Sequence, residues 1–417
     1  MSGAQGKGST ESYLKREEIH AILKDGLGSL SLDGKRVLFL IPDATRTMPM
    51  PLVFDSLQEL LKNRTKHMDF LVALGTHQPL SDAQLSHLVG KPVRNGKVGD
   101  IRLINHAWDK PETFSHIGTI PSTEVSHISG GLLAQDVPIR INKLIYEYDQ
   151  VIICGPVFPH EVAGFSGGNK YFFPGIAGPE IINFTHWLGA LITSYQVIGR
   201  MHTPVRAIIE RAAEFINLPT ACFAFVVDHQ GVAGLCFGPP MQAWQSAAEI
   251  SSIRHIVYKE KPFNRVLSLM PRMYDDLWTA AKGMYKLEPV VADAGEVIIY
   301  APHIHEVSYT HGKLIDEIGY HCRDYFLSQW ERFKGYPGGV LAHATHLTGM
   351  GAYDLQSGIE TPRIHVTLAT GISAERCKKI NLGYVSPEEI HVEEWSNREE
   401  EGILVVEQAG ETLFRLK

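Results

Sequence analysis

The chain has 417 residues, is 44% hydrophobic and 20% charged, and carries a formal net charge of −7. That length exceeds what one simple core fills, so two domains are expected, and the composition is that of a folded globular protein. The acidic balance excludes bulk affinity for nucleic acid or an anionic membrane, and no apolar run reaches the roughly 18 residues of a membrane span.

Residues 1–12, MSGAQGKGSTES, are rich in Gly and Ser and lack an apolar stretch, which reads as a mobile tail and not as a signal peptide. Val37 to Ile41 form a buried apolar run stopped by Pro42, and Leu52, Phe54, Leu57, Leu60 and Leu61 then fall at helical spacing. DFLVALGTH is a second buried strand ending at Gly75, and Ser81 with Gln84 forms a capping box that starts the next helix. YDQVIICGPVFPH is a third strand. Continuous Val/Ile/Leu runs imply strands covered on both faces, hence an α/β fold with mostly parallel sheets and crossover helices. In such sheets ligands bind beyond the carboxyl ends of the strands. Asp43, Thr45 and Arg46 follow the first strand, His77 the second and His160 the third.

A second unit is expected from about Pro262, giving domains at 1–262 and 263–417. NRVLSLMP, GEVIIYAPH, GGVLAHATH and RIHVTLATG read as its strands. A helix opens at Asp275 or Asp276, and SAERCKK forms another. The five cysteines, Cys154, Cys222, Cys236, Cys322 and Cys377, are scattered with no CxxC. That spacing supports neither a disulfide framework nor a zinc ribbon and fits a reducing cytoplasm.

The chemistry concentrates in PHEVAGFSGGNKYFFPGIAGPEIINFTHW, from Pro159 to Trp187. Gly164, Gly167 and Gly168 leave backbone amides bare, as an anion such as a mononucleotide phosphate requires. A tight structural turn explains the same glycines. The spacing is not that of a Walker loop, and no G-x-G-x-x-G follows a strand. Lys170, if partly desolvated, becomes a nucleophile; a surface lysine with a buried stem is the plainer reading. His186 falls on a helix after the Pro174-Gly175 turn, without the partner spacing of a zinc site, and a hydrogen-bonded core histidine is the plainer reading of it alone. His77 and His160, from two strand ends, suit removing a proton on one face of a carbon and returning it on the other; two unrelated histidines are the alternative.

Taken together, DATR, GTH, the central block with a second TH sixteen residues past the lysine, and DDLWTAAKG resemble the lactate racemase family, nickel-pincer-dependent racemases and epimerases of 2-hydroxy acids. The resemblance covers most of the chain in order, and the central block is its specific part. It implies two α/β domains with the active site in a cleft between them. It implies a nickel-pincer nucleotide, a pyridinium mononucleotide whose two sulfur arms hold nickel, covalently attached at Lys170, with His186 completing the metal's coordination. His77 and His160 then match the acid/base pair. Asp43, Thr45 and Arg46 match the first cofactor- and substrate-binding loop, Gly167 and Gly168 the phosphate approach, and Lys282 a substrate-binding lysine. The implied reaction moves the C2 hydrogen as hydride through a transient 2-keto acid. Cofactor-synthesis enzymes are implied as maturation partners, and a small 2-hydroxy acid as the ligand.

The chain departs from the lactate-acting members at one place. Where they carry Tyr and Gln, it has Trp278 and Thr279 before Lys282. Thr279 lacks the amide's donor and acceptor, which argues against lactate. If His343, Thr345 and His346 line the cleft, a longer hydroxylated acid such as an aldonic acid fits better; the alternative is that both histidines end a structural strand. Three other classes compete. A nicotinamide dehydrogenase lacks its fingerprint, and a zinc hydrolase lacks ligand spacing. A non-catalytic binding protein would be expected to have lost Lys170 or one of the paired histidines.

Overall fold

The computed structural model describes residues 5–9 and 11–417. The chain divides into two compact units, the first made of Met1–Phe158, Phe165–Ile182 and Arg206–Arg254, the second of Pro159–Gly164, Asn183–Val205 and His255–Lys417.

The first unit is built on one eight-stranded sheet. Its strands are β1 (Gln5–Gly8), β2 (Arg36–Ile41), β3 (His67–Val72), β4 (Lys97–Val98), β5 (Ile101–Asn105), β6 (Gln150–Pro156), β7 (Thr220–Asp228) and β8 (Gly231–Gly238). Their spatial order is β1-β8-β7-β6-β2-β3-β5-β4. The central pairs β7–β6, β6–β2, β2–β3 and β3–β5 are parallel. Strands β8, β1 and β4 run antiparallel to their neighbours at the two margins. The apolar runs that predicted buried strands are buried from Val37 through Ile41 and from Phe70 through Val72. Helices α1 (Arg16–Gly28) and α2 (Met50–Leu61) turn their apolar stripes inward, burying Leu23, Leu27, Val53, Phe54 and Leu57. Phe39, Phe54 and Phe70 pack ring on ring, with centroids 5.3 and 5.0 Å apart. Helix α3 (Asp82–Val89) begins at the expected capping box, Ser81 accepting from the Gln84 amide, and ends at Gly90 in the left-handed region.

The winding order of the strands reverses across the middle of this sheet. From β2 the chain moves outward to β3, whereas from β6 it moves the other way to β7. The gap between the carboxyl ends of β2 and β6 is therefore a topological switch point, where open α/β sheets bind ligands.

Of the tail expected to be mobile, residues 1–4 and 10 lie outside the described residues. Gln5–Gly8 form β1, paired in register with Gly234 to Phe237.

The second unit has a five-stranded, all-parallel sheet of β9 (Phe263–Leu269), β10 (Val291–Ala301), β11 (His365–Thr370), β12 (Gly383–Tyr384) and β13 (Ile403–Val406), in the order β12-β11-β10-β9-β13. Helix α4 (Pro179–Ile192) enters this unit from Asn183 onward, and α5 (Pro240–Arg254) belongs to the first unit. The expected DDLWTAAKG helix is two short turns, α6 (Leu277–Ala280), capped by the Asp276 carboxylate, and α7 (Lys282–Tyr285). One expected strand is corrected. GGVLAHATH is not a strand but the first nine residues of helix α8 (Gly338–Thr348). Every side chain from Val340 to Thr348 is buried, polar ones included, so no exposed face marks a helical period, and periodicity alone cannot separate such a helix from a buried strand. Pro337 precedes it and Gly349, with φ 81°, ends it. Among the described residues no helix is long and apolar enough to cross a membrane. All five cysteines are buried free thiols.

Candidate active site

In the first unit the site grows from the loop after β2. Pro42 ends the strand, and the next residue, Asp43, is 5% exposed. Its Oδ1 accepts from the Thr45 amide at 3.0 Å and the Thr45 hydroxyl at 2.7 Å, which folds the loop back on itself. Its Oδ2 lies 2.5 Å from His77 Nδ1. Burial by itself raises the Asp43 pKa, but the His77 charge and hydrogen bond, with Arg46 and Thr45, outweigh it and hold the carboxyl far below its usual range. An ionised carboxylate at Nδ1 keeps a proton there and leaves Nε2 as the working nitrogen.

His77 is positioned by the turn after β3. Its amide donates to the Leu74 carbonyl at 2.9 Å, and Trp108 Nε1 donates to its carbonyl at 2.9 Å. Gly75, in the left-handed region at φ 57°, donates to the Gly175 carbonyl at 2.9 Å. Gly175 in turn donates to the Lys170 carbonyl at 3.0 Å, so the His77 turn and the Lys170 turn are stitched together.

Lys170 is half-buried on the single 3₁₀ turn Gly168–Tyr171. The next residue, Tyr171, anchors that turn on β6. A Cβ on Gly155 would lie 1.8 Å from the Tyr171 hydroxyl, so the phenol packs against a position only glycine can hold. Burial pushes the Tyr171 hydroxyl well up, and the charges of Arg46 and Asp43 on the β2 loop reach it. Arg46 donates to Thr45 Oγ1 at 2.9 Å and lies 5.5 Å over the Phe158 ring.

The glycine loop before Lys170 faces the protein with its carbonyls. Arg206 donates to the carbonyls of Phe165 and, at 3.3 Å, Gly167; Trp244 Nε1 donates to that of Ser166 at 2.9 Å. The Arg206 guanidinium stacks 4.1 Å over the Trp244 ring, and Asn169 Nδ2 donates to Glu210 at 2.6 Å. Burial lowers the Arg206 pKa to about 10, against Glu210. Gly168 turns its amide to the Cys222 thiol, and a Cβ there would lie 2.7 Å from Trp244. Arg206, Glu210 and Trp244 were not anticipated. They stand 36 to 74 residues past Lys170, and no local pattern marks a buried arginine on a helix as the support of a distant loop.

In the second unit, His160 is buried, its Nδ1 3.1 Å from the Val162 amide and 3.3 Å from the Glu161 carboxylate. The amide needs a lone pair at that atom and the carboxylate a proton, so the ring is served in either protonation state. His186 is half-buried on α4. Helix α8 abuts α4: the Gly339 amide donates to Asn183 Oδ1 at 3.0 Å, and a Cβ on Gly338 would lie 2.5 Å from the Asn183 carbonyl oxygen. His343 stacks on Trp278 with centroids 3.8 Å apart, and its Nε2 lies 3.2 Å from the Tyr320 hydroxyl. Burial drives the His343 pKa well down, helped by the charges of His346, His311, Lys282 and His186. Burial also takes His346 down to about 4, with Glu161 opposing and His186 assisting. Lys282 is buried, its Nζ 4.5 Å over the Tyr274 ring. Thr279 Oγ1 is 2.8 Å from Asp276 Oδ1 and 3.0 Å from the Asp276 carbonyl.

The structure thus gathers Asp43, Thr45, Arg46, His77 and the Lys170 turn in the first unit. In the second, Trp278, Lys282 and His186 gather around His343. Among the described residues no three His, Cys, Asp or Glu side chains come together to hold a metal ion. Within the first unit Lys170 is a half-buried amine on a tethered turn, a position from which a lysine can join a cofactor, and within the second His186 is a half-buried imidazole, a donor that suits Ni(II).

Fold and site together define an α/β protein with a carboxylate-oriented histidine at its ligand end. Residues 9–199 match the model of the lactate racemase N-terminal domain. Two curated relatives are each 26% identical: a lactate racemase from Thermoanaerobacterium thermosaccharolyticum over 70% of this chain, and one from Lactiplantibacillus plantarum over 53%. The alignments span 66% and 47% of those relatives' own lengths. A crystal structure of a protein from Thermotoga maritima is 31% identical, with a TM-score of 0.91, covering 99% of this chain and 100% of that one. The lactate racemase apoprotein of Thermoanaerobacterium thermosaccharolyticum shares the fold, with a TM-score of 0.70 and 21% identity over 99% of this chain and 94% of that one. Residues 9–199 thus match the lactate racemase N-terminal domain, and the chain is similar to curated lactate racemases at 26% identity.

Proposed function

We propose that this protein is a racemase or epimerase that inverts C2 of a 2-hydroxy acid, a hydroxylated sugar (aldonic) acid in preference to lactate, with a nickel-pincer nucleotide attached at Lys170. The observation that supports this most is the Asp43–His77 pair at 2.5 Å, on loops tied to the Lys170 turn. An oriented base beside a candidate attachment lysine, at the end of a parallel sheet, is what an acid–base site served by a lysine-linked cofactor requires.

The α-hydrogen of a 2-hydroxy acid resists removal as a proton, because the neighbouring carboxylate already carries negative charge. When bound, the cofactor supplies a hydride acceptor, with Lys170 and His186 holding it. His77 takes the hydroxyl proton at Nε2, and Asp43 stabilises the imidazolium that results. Loss of that proton and of the C2 hydrogen as hydride would leave a planar 2-keto acid, and return of hydride to its opposite face with a proton to the oxygen would give the inverted acid. His160, backed by Glu161, serves as the second acid/base for the opposite hand. Arg46 and Lys282 supply positive charge for the substrate carboxylate. Trp278 shapes the substrate's tail from its place against His343, and Thr279 acts through the turn it holds with Asp276.

The test uses protein matured alongside the cofactor-synthesis enzymes. Intact mass, nickel content and inversion at C2 of aldonic acids and lactate are measured on one sample. An adduct on Lys170, stoichiometric nickel and inversion are expected. A loaded sample that inverts no 2-hydroxy acid, or full activity in Lys170→Ala, refutes the proposal.

A further inference from the structure

Helix α8 carries two buried imidazoles one turn apart, and the protein accounts for only one of them. His343 has the Tyr320 hydroxyl at its Nε2 and the Trp278 ring against its face. His346 is 3% exposed, and neither of its ring nitrogens has a hydrogen-bond partner among the described residues. Its ring contact is with Tyr285, edge to face at 6.4 Å, which satisfies neither nitrogen. Native structures rarely bury two polar atoms of one side chain unsatisfied, and each exception calls for an explanation.

The surroundings of His346 supply one. Glu161 and His186 both lie close enough to act on it electrostatically. Glu161 is 3.3 Å from His160 Nδ1. His346 therefore stands in the part of the second unit that carries His160 and His186, on a helix whose first turn is bonded to the helix bearing His186.

We propose that His346 is a specificity-determining residue that hydrogen-bonds a hydroxyl group on the substrate chain beyond C2. A neutral imidazole offers one N–H and one lone pair, and a hydroxyl offers the same two in return. The methyl group of lactate answers neither, so a site carrying this imidazole rejects lactate by leaving its own polar atoms unpaired. The inference rests on the racemase reading above and deepens it by naming the residue that reads the tail.

The test compares wild type with His346→Leu and His346→Gln, all matured with cofactor, using gluconate and lactate as probes. His346→Leu is expected to lose about 10- to 100-fold in kcat/KM for gluconate, the loss of one or two hydrogen bonds to a buried group, while kcat/KM for lactate rises as the unpaired polar atoms are removed. His346→Gln, which restores a donor and an acceptor, recovers most of the gluconate activity. Intact mass and melting temperature are read in parallel, and the adduct on Lys170 is expected to be unchanged. An equal fall for both acids, or no fall for gluconate, overturns the proposal while leaving the racemase reading intact. If wild type inverts neither acid, the racemase reading fails. Calorimetric binding of gluconate then decides separately, and equal affinity for wild type and His346→Leu overturns the role of His346.

Discussion

Glu288 offers a quantitative test of the second unit. Its carboxyl is fully buried, with Oε1 accepting from the Met350 amide at 2.8 Å and the Arg363 guanidinium 3.7 Å away. Burial raises its pKa from 4.5 to about 7, against the partial opposition of Met350 and Arg363. The carboxyl is thus held neutral in the fold at a pH where the unfolded chain has already ionised it. At about 1.4 kcal/mol for each pKa unit, that difference amounts to about 3 kcal/mol. Because the folded value is the higher one, the stabilisation is fully present below pH 4.5 and is lost as pH rises to about 7. Glu288→Gln keeps an acceptor for Met350 and cannot ionise. Its stability relative to wild type should therefore increase by about 3 kcal/mol between pH 4.5 and pH 7.5, and hold steady beyond. Urea unfolding of both proteins across this range measures the difference. A gap that stays constant with pH would show that Glu288 is ionised in the native state and that Arg363 compensates its burial fully.

Three further predictions concern the site. Asp43→Asn presents an amide to His77 in place of a carboxylate, favouring the wrong tautomer. Turnover at C2 should fall by about 10²- to 10⁴-fold with the Lys170 adduct retained, and an unchanged kcat would remove Asp43 from this role. Lys170→Ala should show no cofactor mass, whereas His160→Ala should keep the mass and lose inversion; a His160 variant with wild-type rates is not an acid/base variant. Gly155→Ala forces a Cβ to within 1.8 Å of the Tyr171 hydroxyl and should cost about 1–3 kcal/mol in chemical unfolding, together with slower adduct formation. Wild-type stability there would mean that Tyr171 does not pin the lysine turn.

Much of the fold was legible because buried parallel strands leave a plain trace. Val37 to Ile41 and Phe70 to Val72 are apolar at every position and end in turn residues, so both strands and their carboxyl ends follow from composition. The capping box at Ser81 is equally local. Helix α8 was misread as a strand for a physical reason: burial on all sides erases the period that tells a helix from a strand. The parts of the site that span long stretches of chain were illegible in another way. Asp43 and His77 are 34 residues apart and become partners only because β2 and β3 are parallel neighbours. The sequence placed each at a strand end but could not pair them. Arg206 and Trp244 come from helices far downstream, and their stacking beneath the Lys170 loop depends on packing that no spacing rule encodes.

Asp43 gives one carboxylate oxygen to the fold of its own loop and the other to His77. A glutamate at this position would carry the charge one methylene further out, and whichever oxygen found its partner would draw the other off target. Backbone architecture and proton chemistry are thus inherited as a single trait at this residue. A change at Asp43 therefore disturbs the loop and the orientation of His77 together.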